Sequence, residues 1–188
     1  NRAKSILFLQ GFCGDIRPKI IKTEKSFKDF IIKALIGKRF RNANKKDALL
    51  IGNKISNTIL NFKNEPYDIN FCNIEKSHKI LHKMKLSDNS YHEKKLEIIL
   101  WNWGSIIFLF INAEVLSGYN LLNYKEKKVL CVGYSNGMIG YLPTEKDILE
   151  GGYEIEKSRS IFKIKKNLNT GEEKIIKKKI NNIFSKMY

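Results

Sequence analysis

Cysteine is scarce in this chain, and Cys13, Cys72 and Cys131 are odd in number and far apart. Without a Cys-x-x-Cys pair, the sequence argues against a zinc ribbon or a disulfide scaffold and fits a reducing compartment, with the cytoplasm slightly favoured. Arginine is also scarce, occurring only at Arg2, Arg17, Arg39, Arg41 and Arg159. Arginine is the residue that reads guanine and grips phosphate through two parallel bonds, so its rarity speaks against nucleic-acid recognition. No apolar run is long enough to span a bilayer. The longest, Leu96 to Ile111, is interrupted by Trp101-Asn102-Trp103-Gly104-Ser105 and falls short of the roughly 20 residues required, so a soluble protein is expected. The chain opens on Asn1 rather than Met and carries no signal peptide there, from which a missing N-terminal portion is expected.

What is abundant is lysine. The 188 residues carry 35 lysines and arginines against 19 carboxylates, a net charge of +16. A basic partner surface is one reading of that excess. The other is compositional: lysine, isoleucine and asparagine share A/T-rich codons, and valine appears only at Val115, Val129 and Val132. The length fits one domain with a real core.

Along the chain, Ser5 to Leu9 reads as a buried strand leading into a loop, Gly11 to Pro18. Phe27, Phe30, Ile31, Ala34 and Leu35 share a helix face that Gly37 can end, and a solvated basic stretch follows from Lys38 to Lys46. Ala48, Ile51, Ile55 and Ile59 predict a second helix closing near Asn61. A weak strand is expected around Ile69 to Ile74. Leu96 to Trp101 and Ile106 to Ile111 predict two strands joined at Gly104-Ser105, the second buried on both faces because it shows no alternation. Another strand spans Val129 to Val132. A last helix carries Ile176, Ile180, Ile183, Phe184 and Met187 on one side, with Thr170 and Glu173 as its capping box. Interleaved helices and strands predict an α/β fold: a mixed β-sheet flanked by helices, in a single domain over residues 1–188.

The segment Val132 to Glu154 reads as a site. Gly133, Gly137, Gly140, Gly151 and Gly152 allow close backbone approach, and Tyr134, Tyr141 and Tyr153 supply phenols. Glu114, at the end of an apolar strand, needs a positive or donating partner. Either it lies in the first turn of a helix running to Leu122, or it meets a metal. His78 and His82, four apart, would share a helix face but have lysine-rich flanks, and they read as solvated or capping histidines rather than ligands.

With Asn136, Tyr141, Thr144, Tyr153 and Glu154 in this order, and Tyr-Glu twelve residues after the first of those tyrosines, the segment resembles the late catalytic motif of the neutral, non-lysosomal ceramidase family. Two further stretches carry the resemblance. Ile111-Asn112-Ala113-Glu114-Val115 looks like the family's Pro-Gly-Glu segment, and Gly14-Asp15-Ile16-Arg17-Pro18 looks like its Gly-Asp-x-Ser-Pro loop. The resemblance implies a zinc-dependent hydrolase of an N-acyl amide bond, acting on a small-molecule or lipid amide, with Glu114 and Tyr141 as metal ligands. It also implies Tyr153 as donor to the substrate carbonyl, and Asp15 and Arg17 in the active-site loop. Arg17 replaces the family's serine. A guanidinium cannot act as nucleophile, but it grips an anion with two bonds, which turns the expectation away from ceramide; alternatively it forms a structural ion pair with Asp15 or Glu154. The family's two histidine ligands precede the Gly-Asp motif and have no counterpart in Asn1 to Gln10. The chain is therefore expected to be the second half of a catalytic domain, with an upstream half as possible partner. The alternative is a noncatalytic member binding anionic ligands or surfaces through its lysines, with peripheral membrane contact.

Overall fold

A computed structural model describes residues 7–23, 25–37, 40–61, 74, 76–121 and 128–186. The chain divides into two compact units, one over Arg17–Tyr67 and the other over Asn1–Ile16 with Asp68–Tyr188.

The smaller unit holds two helices. α1, Phe27–Ile36, starts where the Ser26 side chain accepts from the Asp29 N–H and ends at Gly37, whose φ of 80° only glycine adopts without strain. α2, Lys45–Leu60, opens on a full capping box between Asn44 and Asp47. Both follow the apolar periodicity of the sequence, although the second begins inside the stretch read as a solvated connection.

The larger unit is built on a four-stranded mixed sheet in the order β1-β2-β3-β5. β1 (Lys76–His82), β2 (Leu96–Trp103) and β3 (Ile106–Ile111) are antiparallel neighbours, and β5 (Lys128–Val132) lies parallel to β3. A parallel pair needs a crossover, and this one contains β4 (Glu114–Val115) and a 3-10 turn over Ser117–Leu121. β4 pairs in parallel with β6 (Tyr141–Leu142). Then come α3 (Glu145–Glu150), a π-helical turn over Tyr153–Lys157, α4 (Ser158–Ile161) and α5 (Glu172–Phe184). The α/β architecture of sheet and helices agrees with the sequence reading.

β2 alternates buried and half-buried along its length, and its pairs carry the alternation across the sheet. Leu96, Ile98 and Leu100 join Ile107, Leu109 and Ile111, together with Ile176, Ile180, Ile183 and Phe184 of α5, in one core. Each such side chain contributes about 1.5–3 kcal/mol by leaving water. On the opposite face Trp101, Trp103, Ile106, Phe108, Phe110 and Val132 form a second apolar cluster. β3 is therefore apolar on both faces, as its lack of alternation predicts.

Several local expectations are corrected. Leu7 to Leu9 form no strand and are exposed. Of the strand expected at Ile69 to Ile74, residues 69–73 lie outside the described ones and Ile74 has no regular structure. His78 and His82 lie on β1 rather than on a helix, because Ile80 between them takes the period-2 pattern of a sheet. His82 is buried, with its Nε2 2.6 Å from Glu172 and its Nδ1 2.9 Å from the Lys179 ammonium. The ammonium can only donate, so Nδ1 accepts and Nε2–H donates to Glu172. α5 begins at Glu172 without a side-chain cap. Thr170 does not cap it: the Glu172 N–H bonds to the Asn169 carbonyl, and Glu173 is engaged by Lys177 and by the N–H of Glu145 at the start of α3.

Candidate functional site

Three segments meet at the end of β3. Asn112 turns the chain, its buried amide accepting from the Glu97 N–H at 2.7 Å and donating to the Lys95 carbonyl at 3.2 Å. The Glu114 N–H then bonds to the Gly140 carbonyl and the Leu116 N–H to the Leu142 carbonyl, at 2.9 and 3.1 Å. From the other side the Gly14 N–H reaches the Val115 carbonyl at 2.9 Å. A methyl group on Gly14 would lie 2.9 Å from Leu116 Cδ1 and 3.0 Å from the Glu114 carbonyl oxygen, so a larger residue fits only if the neighbouring backbone gives way. The glycine of the Gly-Asp pair is thus required by the approach of two backbones.

Glu114 is therefore a half-buried strand residue and not part of a helix's first turn. Two phenols, Tyr134 and Tyr141, stand close enough to its carboxylate to feel its charge. Burial, and then Glu114 with its negative charge, push both phenols well above the ordinary tyrosine value of 10.0. Tyr134 has φ 57° and Asn136 φ 53°. A bulky aromatic at positive φ is a strained conformation of a kind that clusters at functional sites. Gly133 before it donates its N–H to the Gln10 carbonyl at 2.9 Å, tying the corner to the N-terminal loop.

Tyr141 also meets Tyr153 edge to face, with centroids 6.3 Å apart and planes at 84°. Phe162 packs on the same ring at 6.1 Å. Tyr153 is half-exposed at the start of the π-helical turn. The structure thus brings Glu114, Tyr141 and Tyr153 side by side. Tyr134, named in the sequence reading without a role, and Phe162, absent from it, complete the group. Tyr134 was legible only as one more phenol in a glycine-rich run; nothing in the sequence pointed to Phe162.

Asp15 lies against the same corner and turns to the 3-10 segment. Its two carboxylate oxygens accept from the Ser117 N–H at 2.7 Å and the Ser117 hydroxyl at 2.6 Å. Partial burial works to raise its carboxyl, but the Ser117 bonds outweigh it and the net shift is downward. Arg17 belongs to the smaller unit, where its guanidinium lies 5.2 Å over the Phe40 ring.

The donor chemistry at Glu114 and Tyr141 fits two oxygen ligands of a zinc ion, which takes about four. Among the described residues no group of three or more His, Cys, Asp or Glu side chains is gathered that could hold a metal ion. His82 is committed to Glu172 and Lys179, whereas His92 bonds the backbone of Lys94 through Nδ1 and its buried Nε2 has no partner among the described residues. The described residues therefore fit half a ligand set. No family model, curated protein or solved structure matches the chain.

Proposed function

We propose that the corner around Glu114 is part of a zinc-dependent hydrolase site for an N-acyl amide bond, similar to that of the neutral ceramidases. Glu114 and Tyr141 are its oxygen ligands, and imidazole ligands come from outside the described residues. The observation that carries this reading is the half-buried Glu114 paired in register with Tyr141 where three segments meet, with the Tyr134 phenol near its carboxylate and Tyr153 packed on Tyr141. When bound, zinc polarises the amide carbonyl and acidifies a water molecule toward about pH 7.

The chain's own groups divide the remaining work. Tyr134 stands with Tyr141 near the Glu114 carboxylate and helps to orient it. Burial first, and then the Glu114 charge, hold the proton on Tyr141, so a cation neutralising that charge would remove part of the hold. Tyr153, exposed beside it, donates its hydroxyl to the oxyanion of the tetrahedral intermediate. Asp15 holds the 3-10 segment that follows β4 and so fixes Glu114. In sequence Arg17 stands where the family has serine, and the loss of that hydroxyl argues against ceramide itself; Arg17 belongs to the other compact unit.

The test is zinc titration of the full-length protein together with hydrolysis of N-acyl amino acids. Glu114→Gln and Tyr141→Phe are expected to weaken zinc binding at least about tenfold. Tyr153→Phe is expected to leave zinc binding intact and lower kcat by about two orders of magnitude. Zinc binding that neither ligand variant disturbs would sink the reading.

A further inference from the structure

The smaller unit carries the chain's charge and leaves its apolar side chains in water. Between Arg17 and Tyr67 stand thirteen lysines and arginines against four carboxylates, which accounts for nine of the sixteen net positive charges. Two of those carboxylates are already matched: Asp29 pairs with Lys22 at 2.9 Å, and Asp47 receives Arg41 through two bonds at 2.6 and 2.7 Å.

Among the described residues, the helices are amphipathic and their apolar side chains stay exposed. On α1, Phe27, Phe30, Ile31 and Leu35 recur at helical spacing, with Phe27 and Leu35 each 78% exposed. On α2 no residue is buried, and Ile55 and Ile59 are 56% and 65% exposed. Both helices have side-chain caps at their first turns, so they are formed before anything docks on them. Close by, Lys19, Arg41 and Lys54 line an open cavity of about 390 Å³ that is walled by Ile20, Leu50 and Ile51. Among the described residues no helix is long and apolar enough to cross a membrane.

We propose that the Arg17–Tyr67 unit is a docking surface for an anionic lipid membrane, with α1 and α2 lying in the interface. Phe27, Leu35, Ile55 and Ile59 enter the acyl boundary, and the lysines meet headgroup phosphates. Charge complementarity selects this occupant. A polyanion in solution would use the lysines and have no use for exposed phenylalanine and leucine, while an apolar protein partner would have no use for so much unmatched positive charge. The surface is independent of the Glu114 corner.

The experiment is co-sedimentation of the full chain with vesicles of pure phosphatidylcholine, or of phosphatidylcholine with 30% phosphatidylglycerol, at about 0.1 M salt, where charges are screened beyond about 10 Å. Binding is expected on the anionic vesicles and at least tenfold weaker on the neutral ones. The pair Phe27→Ser with Leu35→Ser, and separately Lys25→Gln with Lys28→Gln and Lys46→Gln, should each weaken anionic-vesicle binding about tenfold or more. All five positions are exposed, so circular dichroism should report unchanged helix content. Equal binding to both vesicle types would overturn the proposal. So would binding that responds to the lysine changes and ignores the apolar ones, which is the mark of a soluble polyanion site. A dimer in analytical ultracentrifugation that dissociates on Phe27→Ser with Leu35→Ser would overturn it as well, by assigning the face to a second copy.

Discussion

Gly14 shows how a single absent side chain can hold a site together. The Leu116 methyl and the Glu114 and Val115 carbonyl oxygens lie 2.9, 3.0 and 3.2 Å from where its Cβ would be. Gly14→Ala must push the loop off β4 or distort the strand, and it is expected to cost about 1–3 kcal/mol in urea unfolding. The displacement also loosens Glu114, so the absorbance titration of Tyr134 and Tyr141 near 295 nm should move toward that of an ordinary tyrosine. An unchanged unfolding midpoint would show that the approach is less tight than the contacts imply. At this scale the sequence was informative about chemistry and silent about conformation. Glu114, Tyr141 and Tyr153 could be selected because a carboxylate after an apolar strand and phenols in a glycine-rich run are unusual company. That Tyr134 adopts a left-handed backbone, and thereby reaches the same carboxylate, is decided by the bonds of Gly133 and Tyr134 to Gln10 and Ala113. No local pattern encodes that.

Elements with a clean period were legible, and those decided by a distant partner were not. α1, α2, β2 and β3 follow from apolar spacing and their turn or cap residues. β1 was missed because its alternation is diluted by lysine and histidine, and its identity comes from seven register pairs with β2. The start of α5 was misplaced because Glu173, the would-be capping residue, is drawn to the N-terminus of α3 and to Lys177. The 3-10 segment likewise depends on a residue 102 positions away, since Asp15 supplies the bonds its first N–H and hydroxyl need. Asp15→Ala is expected to destabilise the protein by about 1 kcal/mol, like the loss of a helix cap, measured by chemical denaturation at pH 7. Asp15→Asn, which retains an acceptor, should recover part of that loss. Because the Asp15 carboxyl is held below its ordinary 3.8, its contribution is present above that pH and disappears as acid protonates it.

For the molecule as a whole, the protonated forms of several phenols and one thiol are tied to the native state. Tyr119, Tyr134 and Tyr141 all have phenols raised above 10.0, with burial the first cause in each, and burial pushes the Cys131 thiol up from 9.0 to about 11. A raised folded value means that the native state keeps its proton where the unfolded chain has lost it. The contribution of these groups is therefore full below about pH 9, begins to fall as unfolded cysteine ionises, and falls further above pH 10 as unfolded tyrosines do. Denaturation midpoints between pH 8 and 11 should be flat at first and then decline. In Glu114→Gln the decline should be shallower, because the charge that helps hold two of the phenolic protons is gone; a midpoint that rises above pH 10 would contradict the sign.

Glu173 acts at a distance from its own helix. Its carboxylate receives the N–H of Glu145, the first residue of α3, while Lys177 holds it from one turn further along α5. In chain order α3 stands between Tyr141 and Tyr153, so the segment joining the two phenols is pinned near its middle by a side chain outside it. The spacing of the aromatic pair is thus calibrated from the C-terminal helix, and a change there would detune the corner without touching any residue in it.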